Sequence, residues 1–182
     1  ANERPRRFAF SGEAYSGAHP QDGSVVVDLA LEQLAELQGG SMYLWAHAMD
    51  PHMPYVHSDN PAFHSMTISF LRDPYVLTEE FRDSVRHAYA NEVASVDQEL
   101  MRLLDGIEDA GLWDEALIIL TSDHGEEFWE HGGVEHGHSH HGEVVEVPLV
   151  LRGPGVTPGM RSGTVSIMDV ASTIRHAAGI PN

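Results

Sequence analysis

The sequence of 182 residues contains no cysteine and no lysine, and all ten of its basic residues are arginine. The absence of cysteine excludes disulfide bonds and thiolate metal sites, and it leaves the redox compartment undecided. Any metal site in this chain must therefore be built from oxygen and nitrogen ligands.

Basic charge is scarce throughout the chain. Acidic residues outnumber basic ones by 28 to 10, which gives a formal net charge of −18. A surface that repels itself in this way is a known adaptation to high salt. We favour that interpretation over a GC-rich genome that has replaced lysine by arginine in an ordinary acidic protein. Either interpretation argues against nucleic acid or an anionic membrane as a partner.

Long hydrophobic runs are also missing, although 42% of the residues are hydrophobic. We therefore expect no transmembrane helix. No signal peptide is visible, and any targeting segment would precede Ala1. The length suits one domain with a sizeable core, and no linker or internal repeat divides it. We expect a soluble, single domain over residues 1–182, in a compartment that the sequence does not specify.

The clearest chemical signal in the sequence is ALIILTSDHGE, residues 116–126. An apolar strand leads directly into Asp123 and His124, and open α/β sheets bind ligands at the carboxyl ends of their strands. A carboxylate next to an imidazole suits a divalent cation. Gly125 then allows the backbone to turn and to approach a ligand closely.

A histidine-rich tract follows this motif. Six of the thirteen histidines lie between positions 124 and 141, namely His124, His131, His136, His138, His140 and His141. Such tracts can be flexible polar loops that bind metal adventitiously. We favour the alternative that one or two of these side chains face the same cation or its anionic ligand and that the others are solvated, because Asp123–His124 and a second strand bracket the tract.

Upstream, the predicted strand Met42–Met49 is interrupted by the turn Asp50-Pro51, and His52 follows between Pro51 and Pro54. A histidine fixed in a short turn at the end of a strand is well placed to donate to a bound oxyanion. A plain surface loop explains the same local pattern equally well.

The spacing of apolar residues predicts two main helices. The first is capped by Ser24 and continues to Leu37, before Gly39-Gly40. The second is capped by Thr78 and ends at Gly111. The apolar residues of the longer helix follow helical spacing and are predicted to be core: Phe81, Val85, Tyr89, Val93, Val96, Leu100, Leu103, Leu104 and Ile107.

Strands are predicted at residues 116–121 and 147–152 and near 163–167, with a turn at 153–155 and a last helix over 169–178. Strands that alternate with helices imply an α/β layered domain.

Four stretches, in order, resemble the second half of the catalytic domain of the sulfatase family, within the alkaline phosphatase superfamily. They are YLWAHAMDPHMPY, YANEVASVDQELMRLLDGIEDAGLWDEALIILTSDHGEEFWEHG, HGHSHHGEVVEVPLVLRGPG and VSIMDVASTIRHAAGI. The match covers nearly all of residues 25–181. It implies an alkaline-phosphatase-like α/β fold, a mixed sheet flanked by helices, of which the N-terminal half is absent.

The resemblance also implies roles for individual residues. Asp123 and His124 match the Asp-His/Asn pair that ligates the catalytic metal. His52 matches the histidine of a Pro-His-x-Pro turn that contacts the sulfate group. His136 or His138 falls near the basic residue, often lysine, that binds the sulfate, and spacing does not decide between them. His141 stands where the family has tyrosine, which is a departure.

The implied cofactor is a divalent cation, usually calcium or magnesium, and His124 in place of asparagine shifts the balance toward manganese or zinc. Such an ion neutralises charge on the sulfate or phosphate oxygens and activates the nucleophile. Imidazoles such as His52 and His138 would stabilise the same oxygens or protonate the leaving group.

The family's nucleophile is missing from these residues. It comes from Cys/Ser-x-Pro-x-Arg, which the sequence lacks, and no opening strand supplies the family's paired aspartates. We therefore expect the C-terminal part of a sulfatase-type catalytic domain, partnered by the missing N-terminal half and inactive alone.

Three functions compete. The first is a sulfuric ester hydrolase acting on a small-molecule or carbohydrate sulfate ester. The second is a phosphodiesterase or phosphonate monoester hydrolase of the same superfamily, which the absence of lysine modestly favours. The third is a noncatalytic metal-binding remnant. A formylglycine motif upstream would separate the first from the third.

Overall fold

In the computed structural model the described residues are 23–36, 41–73 and 77–180. They fall into two units, one within residues 1–111 and the other within residues 112–182. The prediction of a single catalytic-domain piece over residues 1–182 stays a prediction.

The first unit is built from helices. Helix α1 spans Gly23–Ala35, a 3₁₀ turn spans Pro61–Ser65, helix α2 spans Ile68–Leu71 and helix α3 spans Glu79–Asp109. Helices α1 and α3 pack against each other. The first predicted helix is thus confirmed, but Ser24 does not cap it, because the helix already begins at Gly23. Its predicted end at Leu37 and Gly39-Gly40 lies outside the described residues.

The α1–α3 contact follows from one apolar stripe and one close approach. Val27, Ala30 and Leu34 of α1 are buried. Gly106 of α3 lies so close to α1 that a Cβ there would be 2.1 Å from Cδ2 of Leu31. The absence of a side chain at this position lets the two helices approach.

Helix α3 begins and ends where the sequence predicted. The Thr78 hydroxyl accepts a hydrogen bond from the Phe81 N–H at 3.2 Å, and Gly111 adopts a φ of 71° just beyond the last turn. Capping at the first turn and a left-handed glycine at the end are local signals, so the sequence alone determines them.

The predicted core stripe of α3 is partly wrong. Val85 and Ile107 are buried, but Val93 is 43% exposed, and the residue before it, Glu92, is the buried one. The inward face of the helix therefore lies one residue away from the predicted stripe at this point, and a charged group occupies it.

The predicted strand Met42–Met49 is not formed. These residues are all described, and they run as irregular chain between Ser41 and the turn at Asp50. The rings of Trp45 and His47, two residues apart, stack at 5.8 Å, as side chains on one face of an extended segment do. An extended segment becomes a strand only when a neighbour supplies backbone hydrogen bonds.

The second unit contains two short antiparallel pairs. Strand β1 (Ile118–Thr121) pairs with β4 (Leu149–Arg152), with Ile118 opposite Arg152 and Thr121 opposite Leu149. Both strands were predicted. Between them, β2 (Glu127–Phe128) pairs with β3 (Val134–Glu135), and helix α4 spans Gly142–Val145.

The histidine-rich tract is therefore structured by a short hairpin and a helical turn that the sequence did not predict. At the end of the chain, helix α5 spans Asp169–Ala177, as expected. The strand predicted near 163–167 is absent from these described residues, which form a bend and turn. In the part of the chain that the structure describes, no helix is both long and apolar enough to cross a membrane.

Gly153 ends β4 at a place that tolerates no side chain. Its φ is +146°, and a Cβ there would lie 2.5 Å from the Ala116 carbonyl oxygen and 2.8 Å from the Leu117 Cα. These are backbone atoms of the segment that enters β1, so they cannot rotate away.

We expect Gly153→Ala to lower the free energy of unfolding by about 2 kcal/mol or more, through strain and overpacking. The control is Gly163→Ala, where no atom lies within 4 Å, and which should stay within about 0.5 kcal/mol of the parent. Denaturant unfolding of both variants measures the difference. Equal stabilities would contradict the prediction.

Candidate active site

The Asp-His motif begins two residues after β1 ends. The Ser122 hydroxyl donates to the His124 carbonyl oxygen at 2.6 Å, and the His124 N–H donates to Oδ1 of Asp123 at 3.0 Å. These bonds fix the turn that follows the strand. The Asp123 side chain is 66% exposed and that of His124 is 38% exposed, so both are open to a ligand.

The ring of His124 is oriented as a metal ligand is. Its Nδ1 lies 2.9 Å from the Gly125 carbonyl oxygen, and because a carbonyl only accepts, Nδ1 carries the proton. In the neutral ring, Nε2 then carries the lone pair, 3.8 Å from Oδ2 of Asp123. Histidines that bind metals commonly donate their other N–H to a carbonyl or carboxylate in this manner. The donor set of Asp123 and His124 therefore fits a divalent cation.

Gly125 makes a close approach that the sequence did not predict. Its N–H donates to the Val144 carbonyl oxygen at 2.7 Å, and a Cβ there would lie 2.1 Å from the Glu143 carbonyl oxygen. The close approach is thus to the backbone of α4. This contact ties the Asp-His turn to the helix that follows the histidine-rich tract.

The two histidines that the sequence could not separate have different neighbours. The His136 ring stacks on the His124 ring, with centroids 3.9 Å apart. The His138 ring instead lies on Glu127, with Nε2 3.0 Å from Oε2. The structure brings His136 to the Asp-His motif and brings His138 to a buried carboxylate.

Sequence reasoning missed Glu126, which holds His136. Oε1 of Glu126 lies 3.1 Å from Nδ1 of His136, and the carboxylate is largely buried. Burial raises the pKa of Glu126, and the hydrogen bond from His136 opposes that rise. The sequence feature that could have pointed to Glu126 is its position directly after Asp-His-Gly.

Glu127 was missed as well, and it organises the whole tract. Its side chain is 1% exposed, and it accepts hydrogen bonds from the N–H groups of His131 (3.3 Å) and Gly133 (2.7 Å) and from the Ser139 hydroxyl (3.1 Å). The ring of His138 adds a fourth contact. Gly133 is also a close approach, because a Cβ there would lie 2.9 Å from Oε1 of Glu127.

Burial alone would raise the pKa of Glu127, but the bonds from Gly133, Ser139, His138 and His131 together outweigh it, and the net pKa is lowered. The carboxylate is therefore the stable form of this buried group. A buried anion with four donors is a structural anchor for the loop.

The remaining histidines of the tract lie near α4. The rings of His131 and His141 stack at 3.7 Å, and Nδ1 of His131 lies 2.5 Å from Oε1 of Glu143. The pKa of Glu143 is lowered, first by its own backbone N–H and also by His131. His140 is exposed.

His52 belongs to the first unit, in the turn after Met49. Its N–H donates to the Met49 carbonyl oxygen at 2.8 Å, which closes the turn. Its Nδ1 donates to the Met53 carbonyl oxygen at 2.6 Å. A donation from His52 to a bound oxyanion therefore goes through Nε2 and requires a proton on that nitrogen as well.

Two other groups of described residues bring three metal-type ligands within 4.8 Å of one another. They are Asp50, His57 and Glu92 in the first unit, and Glu127, His131 and Glu143 in the second. In each group one histidine–glutamate pair lies at 2.6 or 2.5 Å, which is a hydrogen-bond distance. Two ligands of one tetrahedral ion would lie about 3.3 Å apart, given metal–ligand bonds of about 2.0–2.1 Å. Each pair is therefore too close to be two ligands of one such ion, and it is described as a hydrogen bond.

Glu127→Gln should weaken the second unit because a neutral amide replaces a buried acceptor that receives four bonds. We expect the free energy of unfolding to fall by about 1–3 kcal/mol near pH 7. The exposed Glu146→Gln is the matched control and should change little.

The pH dependence of stability gives a second readout. Because the folded-state pKa of Glu127 is lowered, its stabilisation is present above the unfolded-state value near 4.5 and is lost as pH falls through the folded value. Glu127→Gln should therefore lose less stability than the parent between pH 5 and about pH 2–3. Urea unfolding across that range measures this, and an unchanged acid dependence would count against the anchor.

Comparison with known proteins identifies the family of the chain. The family model described as Sulfatase matches residues 6–180. Among relatives, the low-salt glycan biosynthesis sulfotransferase Agl7 of Haloferax volcanii is 30% identical over 81% of this chain and 36% of its own length. The choline-sulfatase of Rhizobium meliloti is 33% identical over 57% of this chain and 20% of its own length. The arylsulfatase K of Xenopus laevis is 32% identical over 56% and 19%. The chain thus spans about a third or less of these relatives.

Among solved structures, that of Ps i-CgsB in complex with k-i-k-neocarrahexaose superposes with a TM-score of 0.62 at 19% identity, covering 88% of this chain and 34% of the other. This likeness shows the fold. The described helices and small antiparallel sheets form part of an alkaline-phosphatase-like, mixed α/β fold, as the sequence predicted. The chain belongs to the sulfatase family, within the alkaline phosphatase superfamily.

Proposed function

We propose that the protein containing this chain is a metal-dependent sulfuric ester hydrolase, to which these residues contribute part of the metal and sulfate site. The observation that carries the proposal is the Asp123–His124 pair. Nδ1 of His124 is engaged by the Gly125 carbonyl, so Nε2 is the nitrogen for a cation, beside the Asp123 carboxylate.

Asp123 and His124 would hold the cation through one oxygen and one nitrogen. The ion, when bound, supplies charge neutralisation at the sulfate oxygens and activation of the nucleophile. Calcium or magnesium is the usual occupant in the family, and the imidazole ligand favours manganese or zinc as alternatives.

The anionic group of the substrate would be held by imidazoles. His136 is the better candidate of the two histidines in the tract, because its ring lies on His124 and Glu126 fixes its Nδ1. Nε2 of His138 contacts Glu127 instead, so we assign that ring a structural role in the loop. His52 would donate through Nε2 to a sulfate oxygen or to the leaving group.

The nucleophile lies outside these residues in this proposal. The sequence contains no cysteine and no Ser-x-Pro-x-Arg, so we infer that residues 1–182 form one part of a catalytic domain and do not turn over substrate without the missing N-terminal half. The names of the relatives support a small-molecule or carbohydrate sulfate ester as substrate, since they describe a choline-sulfatase and arylsulfatases.

A phosphodiesterase or phosphonate monoester hydrolase is the second candidate. It is favoured by the absence of lysine, which leaves histidine at the position where sulfatases often have a lysine. A relative from Trinickia caryophylli, 32% identical over 39% of this chain and 14% of its own length, is described as a multifunctional alkaline phosphatase superfamily protein. A noncatalytic metal-binding remnant is the third candidate.

Assays of the full-length protein separate the three. Aryl sulfates, phosphate diesters and phosphonates are offered at equal concentration with calcium, magnesium, manganese or zinc. Preferential hydrolysis of the sulfates supports the proposal, preference for the phosphorus esters supports the second candidate, and metal binding without turnover of any ester supports the third.

Variants then test the division of roles within the site. We expect Asp123→Ala and His124→Ala to lose the bound metal, whereas His52→Ala keeps it and loses about 100-fold in turnover. His140→Ala, an exposed histidine of the same tract, is the control and should keep both. Elemental analysis and initial rates measure the outcome, and equal loss of metal in the Asp123 and His52 variants would refute the assignment.

The acidic composition also supports a protein adapted to high salt. With a net charge of −18, self-repulsion opposes folding at low ionic strength. Salt shortens the screening length from about 10 Å at 0.1 M to about 3 Å at 1 M. We expect Tm to rise steeply over this range of potassium chloride and to rise much less in sucrose of equal osmolality. A Tm that is flat in salt would contradict the adaptation.

A further inference from the structure

Glu92 is a carboxylate buried in the middle of α3, and its residue is 0% exposed. Fully buried glutamates are rare unless they are paired, because removing a charge from water costs much free energy. The site described above does not use Glu92, so its partners indicate what its burial accomplishes.

Both carboxylate oxygens of Glu92 hold one residue of the loop before the 3₁₀ turn. The backbone N–H of His57 donates to Oε1 at 2.7 Å, and Nδ1 of the same residue lies 2.6 Å from Oε2. A short, charge-assisted contact of this kind fixes both the backbone and the side chain of its partner. Glu92 therefore clamps the loop from a helix that is 35 residues away in sequence.

A second contact attaches the same loop to the same face of α3. The ring of the buried Tyr55 meets the ring of Tyr89 edge to face, with centroids 6.0 Å apart. Tyr89 precedes Glu92 by three residues, so both lie on one face of the helix.

The other end of the loop lies against α1. Asp50 is buried, and Gly23, the first residue of α1, lies so close that a Cβ there would be 2.6 Å from Oδ2 of Asp50. A carboxylate at the start of a helix is favoured by the helix dipole. His52 lies between these two anchors, in the turn closed by its own N–H and the Met49 carbonyl.

We propose that Glu92 is a positioning residue for His52: by clamping His57 it fixes the far end of the turn that presents the His52 ring to the substrate. The inference rests on the proposed role of His52 in the hydrolase. A cation shared by Asp50, His57 and Glu92 is the competing explanation, and the 2.6 Å separation between Nδ1 and Oε2 argues against it.

The test uses the full-length protein with Glu92→Gln, which keeps the shape of the side chain and removes its charge. The control is Asp97→Asn, an exposed acid on the same helix. Three quantities are measured in each: kcat and KM with the best ester, bound metal per chain, and the side-chain ¹H–¹⁵N resonances of His52 and His57.

We expect Glu92→Gln to fold, to keep the parent's metal content, and to lose about 10- to 100-fold in kcat with a smaller change in KM, because a displacement of about 1 Å can cost that much. Its His52 resonances should shift or broaden together with those of His57. Asp97→Asn should match the parent in all three measurements.

Unchanged His52 resonances and kcat in folded Glu92→Gln would overturn the proposal, and so would the loss of one metal ion that Asp97→Asn retains. If Glu92→Gln fails to fold, His57→Ala removes the same ring contact from the loop side. The same three quantities are then measured in His57→Ala, with the same expected and contradicting results. A parent protein that hydrolyses no ester would overturn the proposed function instead, and the His52 resonances would then decide the clamp by themselves.

Discussion

The second unit depends on one interaction, the buried Glu127 carboxylate and its four donors. Two of these donors are backbone N–H groups in the hairpin formed by β2 and β3, and two are side chains beyond it. A loop dense in histidine and glycine would otherwise gain little from burial, because its side chains are polar and its backbone is entropically costly to order. The carboxylate supplies a fixed centre around which the tract folds. With the tract fixed, His136 is held against His124.

The same device occurs in the first unit with different partners. Glu92, like Glu127, is buried, and it accepts from one backbone N–H and one imidazole ring. In both units a buried glutamate orders a histidine-bearing loop by taking up backbone donors that the loop itself cannot pair. Such contacts are stiff because breaking either one leaves an uncompensated buried charge. This stiffness suits a site in which imidazoles must be held within a fraction of an ångström of a reacting group.

The extent to which the sequence predicted this arrangement follows from the range of the interactions involved. Helix α3 was predicted from end to end because Thr78 and Gly111 act within a few residues of themselves. The segment 42–49 was wrongly predicted as a strand because an apolar, extended pattern does not specify a neighbour. Asp123 and His124 could be singled out from the sequence because they are adjacent to each other and to a strand, which a linear pattern can express; their role as metal ligands stays a prediction.

The buried glutamates were missed because their role is a contact across distance in sequence. Glu92 lies beside Val93 of the predicted apolar stripe, and the spacing of apolar residues does not mark a buried glutamate. Glu127 lies two residues after Asp-His-Gly in the sequence. Its hydrogen-bond donors, however, come from residues 131–139, and no periodicity of the sequence predicts this set of contacts. The choice between His136 and His138 was undecidable by spacing for the same reason. It depends on which glutamate each ring faces.

The scarcity of basic charge gives these anchors a further consequence in the proposed enzyme. An anionic sulfate ester approaches a chain with a net charge of −18 and no lysine, so the long-range field opposes its binding. In that proposal attraction would arise locally, from the cation that Asp123 and His124 would hold and from imidazole N–H groups aimed by their partners. An imidazole whose Nδ1 already donates, as in His52, His124 and His136, offers Nε2 alone, as a ligand when neutral and as a donor when protonated. The buried glutamates and backbone carbonyls therefore determine where the imidazoles lie, and the partner of each Nδ1, a carbonyl for His52 and His124 and the Glu126 carboxylate for His136, determines which chemical role the ring can take.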